Sequence, residues 1–294
     1  MPTRKLISFD WAMKRLLRSK ANFGILEGFL SELLHEDVQI MEVLESESNR
    51  DAADDRCNRL DLKVRNHRGE LVLIEVQYER QHDYLSRMLY GSARTLVEHL
   101  DAGEAYADLV KVISVNILYF DLGHGEDYIY RGTTRFHGLH KHDELDLSLA
   151  QRRLFPGREQ TYELFPEYYL IKVERFDDIA RDTLDEWVYF LKHEAIQDGF
   201  SAKGLREAKE KLDVLKLAPA ERAAYERRQD DLHLQASLVA SNYGLGKIEG
   251  CEEGREAGRD ERTLEIARAM KANGVAPSVI AQSTGLDPEA IAGL

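Results

Sequence analysis

Apolar positions from residue 9 to residue 34 (Phe9, Trp11, Met13, Leu16, Leu17, then Phe23, Ile25, Leu26, Phe29, Leu30, Leu33 and Leu34) recur at helical spacing, and the polar stretch 19–22 interrupts them, so the pattern predicts two helices. Val38 to Leu44 alternates as a strand does, and 45–55 is too polar for anything but a loop. Two further runs, Arg59 to Arg65 and Leu71 to Gln77, flank the short connection Asn66-His67-Arg68-Gly69-Glu70, which predicts a hairpin. Tyr84 to Leu100 returns to helical spacing and is closed by Gly103, while Leu109 to Phe120 is a continuous apolar run suited to a buried strand. Tyr128 to Phe136 and Tyr168 to Arg175 predict two more strands, and Leu184 to Ile196 a helix.

Past Gly199 the character changes, which places a boundary near residue 200 and divides the chain into a domain over 1–200 and a helical region over 201–294. A charged helix is predicted over 201–228 and a more apolar one over 232–244. Gly246, Gly250, Gly254 and Gly258 then recur every four residues, which suits either a helix closely approached by another or a flexible linker. The last residues repeat a helix, Gly turn, helix rhythm, with turns at Gly274 and Gly285. Residues 275–294 contain no Lys or Arg, so this terminal module is expected to dock a partner or to drive homo-oligomer formation rather than to read DNA.

The hairpin carries the chemistry. If its arms pair symmetrically about the 66–70 connection, Arg65 faces Leu71 and Asp61 faces Glu75, with Lys63 and Gln77 on the same side of the sheet. Two opposed carboxylates repel, so a positive group is expected between them. One candidate is a divalent cation, since magnesium is commonly held by one or two carboxylates together with substrate phosphate and water. Lys63 or Arg87 is the alternative partner. Arg87, one turn before Tyr90 in the helix after Gln77, is a candidate phosphate contact. Asp10 suits a first-turn acid that complements the helix dipole, or an additional site carboxylate. His137, His140 and His142 fall on a loop, and their spacing matches no known metal-ligand geometry.

Composition narrows these readings. With 294 residues, 43% hydrophobic and 32% charged, the chain is globular rather than disordered. It carries 53 acidic against 40 basic residues, a net charge of −13, which disfavours bulk nucleic acid unless positive charge is local. Such segregation exists: residues 1–31 hold six bases (Arg4, Lys5, Lys14, Arg15, Arg18, Lys20) against Asp10 and Glu27, whereas 36–55 hold eight acids against Arg50. Cys57 and Cys251 belong to no metal-binding spacing and fit a reduced compartment. No stretch is apolar enough for a membrane span, so a cytoplasmic protein is expected.

The phrases FDWAMKRLL, LDLKVRNHRGELVLIEVQ and SRMLYGSARTLVEHLDAGEAYADLVKVISVNIL resemble the Rpn family, recombination-promoting nucleases and transposases of the PD-(D/E)xK superfamily. The likeness extends over about residues 6–197, through YYLIKVERFDD and the Trp187 helix. It implies an α/β fold with a restriction-endonuclease-like αβββαβ core, a mixed sheet flanked by helices, and a helical C-terminal region. It also implies metal-dependent cleavage of DNA, linked to recombination, mobile elements or defence. Asp61 maps to the motif aspartate, Glu75 to the acid of the third strand and the Val76 carbonyl to the neighbouring ligand of Mg2+ or Mn2+. Gln77 stands where the motif has lysine. A carboxamide can orient water but supplies no positive charge, and Lys63 could supply it instead. Leu60 stands where the motif has proline. A catalytically weak or inactive module that binds DNA or protein is the alternative.

Overall fold

The computed structural model of the protein describes residues 6–44, 62–100 and 103–294. Its six strands, β1 (Ile40–Leu44), β2 (Leu62–Asn66), β3 (Leu71–Gln77), β4 (Val112–Leu118), β5 (Ile129–Gly132) and β6 (Glu167–Lys172), form one sheet in the order β1-β2-β3-β4-β6-β5. β1, β2 and β3 pair antiparallel in sequence, β4 joins β3 and β6 joins β4 in parallel, and β5 closes the edge antiparallel to β6. The chain therefore makes an α/β fold on a mixed sheet, and the order helix, three strands, helix, strand is the one expected.

The helices are α1 (Phe9–Arg15), α2 (Phe23–Leu34), α3 (Tyr84–Glu98), α4 (Leu149–Leu154), α5 (Thr183–His193), α6 (Leu205–Lys211), α7 (Pro219–Ala272), α8 (Pro277–Thr284) and α9 (Pro288–Gly293). The predicted break between α1 and α2 is a turn of 3-10 helix at Lys20–Asn22, where Asn22 Nδ2 donates to Leu16 O at 2.9 Å. Parallel β3 and β4 are joined by the crossover that contains α3, as parallel pairing requires. α3 lies over one face of them: Leu96 packs against Leu71, Leu73 and Val112, and Tyr84 packs with Leu118 and Phe120. On the opposite face Val72, Ile74, Val76, Ile113 and Val115 are buried as well, so β3 and β4 read as an almost unbroken apolar run. Phe9, Phe29, Trp187 and Phe190 meet edge to face or tilted at 5.3–6.3 Å and tie α1, α2 and α5 together.

The chain forms two compact units, Met1–Arg222 and Ala223–Leu294. The first extends past the composition change at residue 200 because α6 docks on α2. A Cβ on Gly28 would lie 2.2 Å from the Lys203 carbonyl oxygen, and that same carbonyl accepts from Trp187 Nε1 at 3.1 Å. Leu205, Ala208 and Leu212 are buried there, and Ile7 N donates to Leu212 O at 2.7 Å. The single charged helix expected over 201–228 is instead α6 and the start of α7, separated by the 3-10 turn Val214–Lys216 and restarted at Pro219.

In the second unit, Ala267 of α7, Ile280 of α8 and Ile291 of α9 make a small core with Met270, Val275, Leu286 and Leu294. The glycine ladder is helix rather than linker. Gly246, Gly250, Gly254 and Gly258 lie within α7, and a Cβ on any of them would meet nothing within 4 Å. Among the described residues no helix is long and apolar enough to cross a membrane.

Candidate active site

Asn66 sets the hairpin. Its Oδ1 accepts from the backbone N–H groups of Arg68 at 3.0 Å and Glu70 at 2.9 Å, and Gly69 takes the positive φ of 77° that the turn requires. The resulting register pairs Arg65 with Leu71, Val64 with Val72, Lys63 with Leu73 and Leu62 with Ile74, which is the symmetric pairing expected. Asp61 lies outside the described residues.

Glu75 sits on β3 beside Asn116 of β4 and is 7% exposed. Arg87 of α3 makes an ion pair with it through Nη2, while Arg87 Nη1 donates to Gln81 Oε1 at 3.0 Å. Of the two cations weighed as partners for a buried carboxylate, Arg87 is thus the one that reaches Glu75. Lys63 is buried and pairs instead with Glu98 at the end of α3, at 3.4 Å, an acid also bonded by Arg94. Gln77 ends β3, half-exposed. Its side-chain Nε2 donates to Glu79 O at 3.3 Å and its carbonyl accepts from Tyr119 N at 2.9 Å. The Val76 side chain is buried on the far side of the strand, so only its backbone can face a site shared with Glu75.

Around these residues the structure adds groups that the pattern did not single out. Tyr84, the first residue of α3, is fully buried and donates to Asn116 Oδ1 at 2.9 Å. Asn116 Nδ2 donates to Ser114 Oγ at 3.0 Å and to Tyr169 O at 3.2 Å. Ser114 and Asn116 are two polar residues spaced by two within an apolar strand, and that period was the available signal. Just past Gln77, Tyr78 stacks on Tyr119 with centroids 4.4 Å apart. Burial, together with the neighbouring Tyr78 and Glu194, pushes the Tyr119 phenol well above its usual pKa, and it donates to Leu191 O at 2.7 Å. Asp10 is buried and lies 2.6 Å from Lys14, one turn on in α1.

Glu75, the Val76 carbonyl and the Gln77 carboxamide offer hard oxygen donors, the set that suits magnesium or manganese. Glu75 already holds a cationic group, so its surroundings tolerate positive charge. Among the described residues no three His, Cys, Asp or Glu side chains are grouped to hold a metal ion, and the loop histidines His137, His140 and His142 do not gather into one.

Residues 7–149, from the approach to α1 through β5, match the family of PD-(D/E)XK nuclease family transposases. Residues 260–294, the end of α7 with α8 and α9, match the C-terminal HTH domain of the Rpn/YhgA-like nuclease family, so the terminal helix, turn, helix rhythm is that of a domain type associated with DNA binding. No curated protein and no solved structure matches the chain. The nuclease match toward one end and the Rpn/YhgA-like HTH match at the other together support an Rpn-family PD-(D/E)XK transposase nuclease.

Proposed function

We propose that the protein is a metal-dependent DNA endonuclease that hydrolyses phosphodiester bonds at Asp61, Glu75 and Gln77, in DNA recombination, mobile-element activity or defence. The observation that carries this reading is the β2–β3 register. The symmetric pairing from which Asp61 was expected to face Glu75 holds across the described residues 62–65, and Glu75 itself is buried. Asp61, Glu75 and the Val76 carbonyl would hold Mg2+ or Mn2+. A bound ion of this kind polarises the phosphoryl group and lowers the pKa of water. The Gln77 carboxamide orients the attacking water or a phosphate oxygen by hydrogen bonding. Arg87 contacts the phosphate, and Lys63 supplies positive charge from beneath α3, tempered by Glu98.

Plasmid cleavage tests this directly. Supercoiled DNA should be nicked with Mg2+ or Mn2+, and neither Asp61→Ala nor Glu75→Ala should cut. An Asp61→Ala protein that cuts as well as wild type refutes the assignment. A second reading, a weak or inactive binding module, draws on Gln77 in place of lysine and on the Lys63–Glu98 pair. It predicts DNA or protein binding with no metal-dependent cleavage.

We further propose a cytoplasmic homo-oligomer assembled through the C-terminal region. Leu234, Leu238, Leu245 and Ile248 recur every three to seven residues along α7 and are each more than half exposed. Leu238→Glu should lower the mass measured by sedimentation, and an unchanged mass removes the proposal.

A further inference from the structure

Arg87 and a divalent cation are rivals for one carboxylate. Arg87 reaches Glu75 with one arm of its guanidinium and Gln81 with the other, and its side chain is 16% exposed. A guanidinium carries five N–H donors in a rigid fork, so these two bonds leave donors for a further acceptor. Glu75 cannot be bonded by both cations at full strength, because two positive charges a few ångströms apart repel strongly where water is scarce. Arg87, displaced from Glu75, keeps its hold on Gln81 and its place on the first turns of α3. The acceptor that best suits it there is a planar or tetrahedral oxyanion, which a phosphodiester supplies.

We propose that Arg87 is an exchangeable counter-ion. It neutralises Glu75 until a divalent cation takes that carboxylate, and it then transfers to the phosphate of the bound strand. This deepens the nuclease reading and rests on Glu75 being a metal ligand. Coupling between cation and DNA follows, and it must be reciprocal: each ligand strengthens the other because each supplies what the other takes from the Glu75–Arg87 pair. The cation repays Glu75 for the lost guanidinium, and the phosphate repays Arg87 for the lost carboxylate. A protein with net charge −13 thereby gains DNA affinity only where a cation is already bound.

Calorimetry with Mn2+ on the full chain tests the exchange without any activity readout, using wild type, Arg87→Met, Arg87→Lys and Glu75→Gln. Without its rival, Arg87→Met should bind Mn2+ about three- to thirtyfold more tightly than wild type, with Arg87→Lys between the two. In a second arm, fluorescence anisotropy follows a short labelled duplex with EDTA or with Ca2+, a hard cation chosen as a non-cleaving probe. Ca2+ should tighten duplex binding severalfold for wild type and leave it nearly unchanged for Arg87→Met. If Glu75→Gln abolishes Mn2+ binding while Arg87→Met and Arg87→Lys bind it as wild type does or more weakly, the exchange is overturned and the metal reading stands. If Glu75→Gln binds Mn2+ like wild type, the metal reading fails and the exchange with it.

Discussion

Tyr84→Phe removes one oxygen from the interior beside Glu75 and should cost far more than its size suggests. The phenol is fully buried and donates to Asn116 Oδ1 at 2.9 Å, in a strand whose neighbours are Val115 and Ile117. A hydrogen bond of this kind contributes about 1 kcal/mol net, and where no water can enter to satisfy the buried acceptor the loss rises to about 1–3 kcal/mol. Phe fills the same volume, so no cavity term is added. The expected loss is about 2 kcal/mol, a substantial fraction of the 5–15 kcal/mol typical of a folded domain. With a urea m-value of about 2–3 kcal/mol/M, the midpoint should fall by about 0.7–1 M. Tryptophan fluorescence is a clean probe, because both tryptophans, Trp11 and Trp187, lie in the first unit. Asn116→Leu completes a double-mutant cycle, and the two losses should be subadditive by about 1 kcal/mol. A loss below about 0.5 kcal/mol, or strictly additive losses, refutes the claim that this bond organises the start of α3.

Gly28→Ala should destabilise the first unit by about 1–3 kcal/mol by the same fluorescence measurement, since the added Cβ meets backbone atoms of Lys203 and Gly204 at 2.2–2.7 Å and neither can rotate away; unchanged stability would mean that α2 and α6 are not so close. Burial pushes the Glu70 carboxyl up, but Asn66 and Arg158 outweigh it and hold it below its usual 4.5; burial of Glu167 is likewise outweighed by Lys111, Tyr169 and Arg131. The advantage of wild type over Glu70→Gln or Glu167→Gln is therefore full above about pH 4.5 and fades as the pH falls through the lowered folded-state values, and an advantage that persists undiminished in acid-titrated urea melts at pH 2 contradicts this. The HTH-matched segment has only Arg262, Arg268 and Lys271 as bases, and Lys271 Nζ already donates to Ile291 O and Ala292 O at 2.9 Å. Arg262→Ala/Arg268→Ala should thus lower the slope of log affinity for duplex DNA against log salt by no more than about 1.8, and a larger fall means that phosphate contacts extend beyond these two side chains.

Much of the nuclease-matched half was legible in the sequence because its signals are local. The hairpin register followed from the length of one Gly-containing connection and from period-two alternation, and the paired residues confirm it from Leu62 to Arg65. A helix boundary such as Asn22, in the turn before α2, announces itself through turn chemistry, whereas α3 ends at Glu98, ahead of the expected stop at Gly103. What the sequence could not give was partner choice across the fold. Lys63 and Arg87 were both plausible partners for a carboxylate on that face. Only the tertiary path of α3, which brings Glu98 over Lys63 and Arg87 over Glu75, decides between them. Asn116 was passed over within an apolar run because Ser114 and Asn116 hardly alter its hydropathy, although their period-two spacing was a signal and the hydrogen bonds of Asn116 to β6 and α3 make it central. The glycine ladder left helix and linker open because glycine weakens a helix by about 1 kcal/mol each, and all four glycines lie within the continuous α7.

The same pairings change what the acidity of the chain means. A net charge of −13 would ordinarily keep DNA away, and the local excess of bases in residues 1–31 would ordinarily be the remedy. Yet three of the described cations in the nuclease-matched half are engaged by carboxylates: Lys14 by Asp10, Lys63 by Glu98 and Arg87 by Glu75. A phosphate approaching this surface meets ion pairs rather than a positive field, and it must break one to gain a contact. Breaking the Lys63 pair leaves a buried ammonium beneath α3, whereas breaking the Arg87 pair leaves only Glu75 in need of a cation. Of the three, the Glu75–Arg87 pair is therefore the one whose opening a divalent ion can compensate, so the carboxylate that excludes DNA is also the group through which a metal could admit it.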